Sequence, residues 1–192
     1  MSGVLTPAQF ANLDPPIWEP SDSTLLEAIS DTGMMTATTL LVAGTLYLMR
    51  MVTKRTATLT NLEWFTSTAG AGASTGSFSG LYSAAGVLLA GSADIGAQLV
   101  AGNRLSVPLT TPQLLIPGQV TYRALLCNLA TTQATMAVVA NNNTIRFNTP
   151  IGGPSAGLRA SVNGTGLVAL PANITPANNV QAGAFPLWTA ST

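Results

Sequence analysis

From Met34 onward, apolar and polar residues alternate with the period of two that marks strands, not the longer period of helices. Thr56, Thr58 and Thr60 interleave with Ala57 and Leu59. Further along, Val120, Tyr122, Ala124 and Leu126 fall on one face of a strand, and Thr121, Arg123, Leu125 and Cys127 on the other. The pattern predicts strands over 36–42, 46–53, 57–66, 78–83, 87–90, 104–109, 120–127, 136–140, 145–148, 158–162 and 166–170. Gly86 and Pro117-Gly118 punctuate the stretch from Ser77 to Leu129, on which the rest is organised. Asn163-Gly164 predicts a hairpin between the last two strands. Lys54-Arg55 falls in a turn, Pro108 interrupts its strand, and residues 94–101 read as a helical turn opened by Asp94. The small residues of 69–76 predict a flexible loop. Phe185 and Trp188 read as pegs in the core. These pieces build an all-β fold, an antiparallel β-sandwich over residues 34–192.

The first 33 residues follow another rule. Pro7, Pro15, Pro16 and Pro20 break regular structure, and Leu13-Asp-Pro-Pro-Ile-Trp-Glu-Pro20 is extended and polyproline-like. Ser21-Asp22-Ser23 is able to cap a short helix over 24–29, with Leu25, Leu26 and Ile29 as its apolar positions. Residues 1–33 therefore read as an extended N-terminal arm. Its candidate docking residues are Ile17, Trp18, Leu25, Leu26 and Ile29, with the carboxylates of Asp14, Glu19 and Asp22.

Charge sharpens that division. Charged residues make up only 7% of the 192-residue chain, against roughly 25% in ordinary soluble domains. Such a surface calls for cover by partners or by further copies of the chain. Five of the seven acidic residues lie in the first 31 positions without a single Lys or Arg. All seven cations and only Glu63 and Asp94 lie beyond, so an arm of −5 precedes a body of +5. The cations form no run, which argues against nucleic acid as a partner. The uncharged stretch 32–49 is rich in Thr and Gly and reads as strand, so no membrane partner is expected. No basic region with an apolar core opens the chain, so no secretory leader is predicted.

The chemistry of catalysis is sparse. The chain has no histidine and one cysteine, Cys127, which reads as a small buried hydrophobe. Glu63 and Asp94 are the body's only carboxylates, and they read as a strand-surface residue and a helix cap. Residues 69–76 share glycine content with a phosphate loop but lack the Lys-Ser/Thr that follows one. The expectation is a non-enzyme with no cofactor and no metal.

Several phrases resemble the jelly-roll domains of tailed-bacteriophage virion proteins, especially those of phages of actinobacteria. They are Gly80-Leu-Tyr-Ser with Gly86-Val-Leu-Leu-Ala, Val107-Pro-Leu-Thr-Thr-Pro, Leu115-Ile-Pro-Gly-Gln-Val-Thr-Tyr-Arg-Ala-Leu-Leu, and Leu170-Pro-Ala-Asn-Ile-Thr-Pro-Ala with Trp188. The resemblance spans about residues 35–190. It implies a head-decoration, tail-fibre or tail-tip protein that assembles as an oligomer with other virion proteins, often through an N-terminal segment. A virion location follows, with assembly in the host cytoplasm. The family has no fixed ligand residues to carry over. An alternative is a module binding host surface glycan at the tail tip, with Trp64, Tyr82 and Tyr122 as its aromatic face. A cellular adhesion domain is a third reading, disfavoured by the missing leader.

Overall fold

A computed structural model describes residues 25–29, 35, 37–100, 103–139, 155–181 and 186–192. Its strands are β1 (Glu27–Ala28), β2 (Ala37–Leu40), β3 (Leu46–Val52), β4 (Ala57–Thr68), β5 (Phe78–Ser83) and β6 (Leu88–Gly91). They continue as β7 (Asn103–Leu115), β8 (Val120–Leu126), β9 (Thr135–Val138), β10 (Ala160–Val162), β11 (Val180–Gln181) and β12 (Thr189–Ser191). A single helical turn, α1 (Gly96–Leu99), precedes β7.

The pairing is nested. β5 pairs with β6, β4 with β7, β3 with β8 and β2 with β9, every pair antiparallel. The order is that of one long hairpin, folded at the β5–β6 turn and rolled so that successive pairs enter alternate sheets. One sheet reads β2-β9-β4-β7 and the other β3-β8-β5-β6. This arrangement is the eight-stranded jelly roll. The remaining strands extend it: β12 and then β1 add to the first sheet beside β4, and β10 and β11 add to the second beside β3.

Gly86 makes the central fold possible. It takes φ +88°, and a Cβ there would collide with the Ile174 carbonyl oxygen. Between the sheets lie Met49, Trp64, Leu105, Val107, Leu125, Cys127 and Met136, all buried. The indole Nε1 of Trp64, on β4, donates to Ser79 Oγ on β5 at 2.8 Å and so joins the two sheets. β8 is covered on both faces. Tyr122, Ala124 and Leu126 point away from the other sheet, yet they are buried with Leu46, Leu48, Tyr82 and Ile174. The chain between β10 and β11 supplies that cover, with Leu167 and Leu170 packed against the same cluster.

Several elements depart from the alternation. Residues 166–170 do not pair with β10. The chain turns at Gly164 to cover the outer face, and β10 instead lies between β3 and β11. Burying that face removes far more apolar area from water than a hairpin exposed on both sides would. β7 runs through Pro108 and Pro112 for 13 residues. It pairs only with β4 among the described strands, an edge position where proline is tolerated. The register shift between Leu59 and Asn61 falls opposite this segment. The loop 69–76 is pinned by a bridge from Ala71 to Thr132, and Asp94 Oδ2 accepts from the Gly76 and Ser77 amides. Asp94 Oδ1 also accepts from the Gly96 amide at the start of α1, but the N-cap position is held by Ile95, so Asp94 braces the preceding turn and is not the expected cap. The strand expected over 145–148 and the Phe185 peg lie outside the described residues, whereas Trp188 is buried.

Candidate functional site

Residues 25–29 are not helical. Leu26 N–H donates to the Ser191 carbonyl and Ile29 N–H to that of Thr189, so this segment zips onto β12 as strand β1. Tertiary pairing overrides the local capping signal, because a single helical turn is too short to sustain itself. Leu25 is buried with Val139, Trp188 and Ala190, and Ile29 packs beside them. These two docking candidates are therefore spent on the chain's own body. Leu26 is partly covered. Asp14, Ile17, Trp18, Glu19 and Asp22 lie outside the described residues.

An ion pair locks the strap. Arg123, on the inner face of β8, is fully buried, and its Nη2 donates to Glu27 Oε2 at 3.0 Å and to Ser191 Oγ at 2.9 Å. Glu27 Oε1 accepts from the Lys54 amide at 3.1 Å. One carboxylate thus ties β1 to the second sheet and to the turn between β3 and β4. Burial pulls the guanidinium down to about 10, opposed by the Glu27 carboxylate, which favours its charged form. Among the described residues, Arg123 Nε and Nη1, with Thr53 Oγ1 and Thr121 Oγ1, have no hydrogen-bond partner. A cation enclosed this completely depends on its one carboxylate.

The strap ends at one pole of the sandwich. β1 runs antiparallel to β12, and β12 antiparallel to β4, so Leu25 points toward the β4 start at Ala57. The 53–56 and 116–119 turns meet at this pole, each carrying the chain from one sheet to the other. They are stitched by Thr53 N–H to the Gln119 carbonyl and Gly118 N–H to the Thr53 carbonyl, at 2.9 and 2.8 Å. Arg55 Nη2 reaches the Leu26 carbonyl at 3.0 Å. Lys54 and Arg55 are both exposed. Three large apolar side chains next to these turns stand in water: Val52, at 45% exposure, on the outer face of the second sheet, Leu114, at 65%, on the outer face of the first, and Ile116, at 56%, in the 116–119 turn. This pole is cationic and apolar at once, and the acidic arm enters the fold there.

The aromatic candidates do not make a ligand face. Trp64 is wholly buried between the sheets, whereas Tyr82 and Tyr122 are paired partners on the far side of the second sheet, also buried. Tyr82 donates its hydroxyl to the Pro171 carbonyl at 2.9 Å, and the charge of Arg50 partly offsets the burial that raises the Tyr122 phenol. The reason is the cover over β8, which period-two alternation does not reveal. Glu63 is likewise no surface residue. It is fully buried on the outer face of β4, where Oε2 accepts from Arg104 Nε at 2.9 Å and Oε1 from Ser106 Oγ at 2.7 Å. Both partners lie on the adjacent β7, a pairing the sequence spacing does not reveal. Cys127 is a free thiol buried in the core.

Among the described residues, no three His, Cys, Asp or Glu side chains gather as a metal site would require. No helix among them is long and apolar enough to cross a membrane. No protein-family model matches the chain, and no curated protein matches its sequence.

Proposed function

We propose that this chain is a non-enzymatic structural subunit of a tailed-phage virion, a jelly-roll body docked to neighbouring subunits by its N-terminal segment. The observation that carries the reading is the strap. A buried ion pair and a strand pairing hold residues 25–29 at one pole and leave 24 residues, rich in Pro and acid, to act beyond it. An investment of this kind suits a segment that bears load. The sparse charge of the chain and its exposed Val52, Leu114 and Ile116 suit a surface covered in an assembly. The phrases that resemble those of phage jelly-roll proteins suggest the kind of assembly. The glycan-binding alternative loses its proposed platform, since Trp64, Tyr82 and Tyr122 are enclosed.

The test is incorporation. A chain lacking residues 1–24 is expected to fold, with the circular dichroism of the full chain, and to be missing from purified particles. Particles that take up the truncated chain as well as the full one would refute docking through the arm.

A further inference from the structure

The pole formed by Val52, Lys54, Arg55, Leu114 and Ile116 has the chemistry of a receptor, and the chain itself supplies the complementary ligand. We infer that it binds residues 13–22 of a second copy of this chain. The inference rests on the docking role proposed above and names the surface that receives the arm.

Three observations carry it. The first is charge. Lys54 and Arg55 are adjacent and exposed, and the only carboxylate bound at their turn, Glu27, is engaged by the Lys54 amide and by Arg123. The Arg55 guanidinium contacts a neutral carbonyl, that of Leu26. Two cationic heads therefore lack a carboxylate among the described residues, while Asp14, Glu19 and Asp22 carry three within nine positions. The second is apolar match. Ile116 is exposed in the turn stitched to theirs, Val52 and Leu114 stand exposed on the outer face of either sheet beside it, and Ile17-Trp18 sits midway between Asp14 and Asp22. A large aromatic anchor with flanking charges is the composition of an interface hot spot. The third is length. The 24 residues before Leu25 span up to about 80 Å when extended, far more than a return to the adjacent pole requires. The sequence places prolines at 7, 15, 16 and 20, a residue type that favours extended backbone.

The contact would be heterologous, arm of one copy to pole of the next. Repetition closes a ring or extends a chain according to the rotation between copies. The turn itself is built to hold its shape: Gly118 takes φ +83° in the 116–119 turn, and Gln119 Oε1 accepts from the Ile116 amide at 3.1 Å. A rigid receptor loses little entropy when the arm orders on it.

Sedimentation equilibrium on the purified full chain tests this, with two charge-reversed variants checked for folding by circular dichroism. One carries Lys54→Glu and Arg55→Glu; the other carries Asp14→Lys, Glu19→Lys and Asp22→Lys. The wild-type chain is expected to self-associate, more weakly as salt rises, and each variant to lose at least tenfold in affinity. Mixing the two variants is expected to restore association, as is combining all five changes in one chain. Association lost on removal of residues 1–24 but unmoved by charge reversal would overturn the pole as receptor and leave arm docking intact. Association unchanged by the truncation would overturn both. A wild-type chain monomeric throughout, in which charge reversal shifts only the melting temperature, would also overturn the inference, because the arm would then close on its own pole.

Discussion

At the scale of single residues, Arg123 decides the most. Replacing it with Ala strands the Glu27 carboxylate in the sandwich, a loss of about 3–5 kcal/mol for breaking a buried pair. Urea unfolding of Arg123→Ala should show that loss, and the double variant Arg123→Met with Glu27→Leu should recover most of it. Equal destabilisation by single and double variants would contradict the pairing. The tyrosines give a pH test. All three are buried, and desolvation raises each phenol above its usual value, most of all Tyr82. The folded chain therefore keeps protons that the unfolded chain releases above pH about 10, so stability falls as pH climbs past that point. Arg123, lowered to about 10, runs the other way between its folded and unfolded values, but it is one group against three. Phenolate absorbance should accordingly appear together with loss of the β-sheet dichroism. Free titration near pH 10 with the fold intact would contradict the burial. Neither the ion pair nor the cover over Tyr82 was legible in the sequence, since Glu27 and Arg123 stand 96 positions apart and their meeting depends on where β1 lands.

Among the elements, those whose ends are set by local turn residues were legible. β5 was read with its observed ends, and β3, β4 and β8 to within two residues, because each is bounded by turn residues whose conformation is local. The segment 25–29 was misread as helix for the complementary reason: Ser21-Asp22-Ser23 is a local signal, whereas β12, its partner, lies at the other end of the chain. Residues 166–170 failed likewise, their role being to cover a face and not to pair. The strap makes a graded prediction. Removing residues 1–24 should leave the melting temperature within a degree or two, whereas removal through Ile29 should lower it by several degrees. The longer cut deletes the Leu25 and Ile29 contacts and leaves Arg123 unpaired. Equal melting temperatures would mean that β1 contributes nothing. The fold point offers a second check. Gly86→Ala places a Cβ against the Ile174 carbonyl at positive φ and should cost about 1–3 kcal/mol in urea unfolding. Gly118→Ala, at similar φ but in open space, should cost less.

For the whole molecule, the architecture was legible. Alternation, turn spacing and the absence of helical periodicity pointed to a β-sandwich and the resembling phrases to its jelly-roll form, and the nested pairs β2–β9, β3–β8, β4–β7 and β5–β6 are that fold. The candidate surface was half legible. The charge division between arm and body can be counted from the residues, but the pole that brings Lys54 and Arg55 beside Ile116 exists only once two sheet-crossing turns are stitched together. On the proposed function, this body serves as a building part of a phage particle. Gold-labelled antibody against the chain, applied to intact particles from its source and viewed by electron microscopy, tests this. Label is expected at a regular position on the particle, over the head or along the tail. Particles without label, whose denatured proteins also lack the chain on immunoblotting, would contradict it.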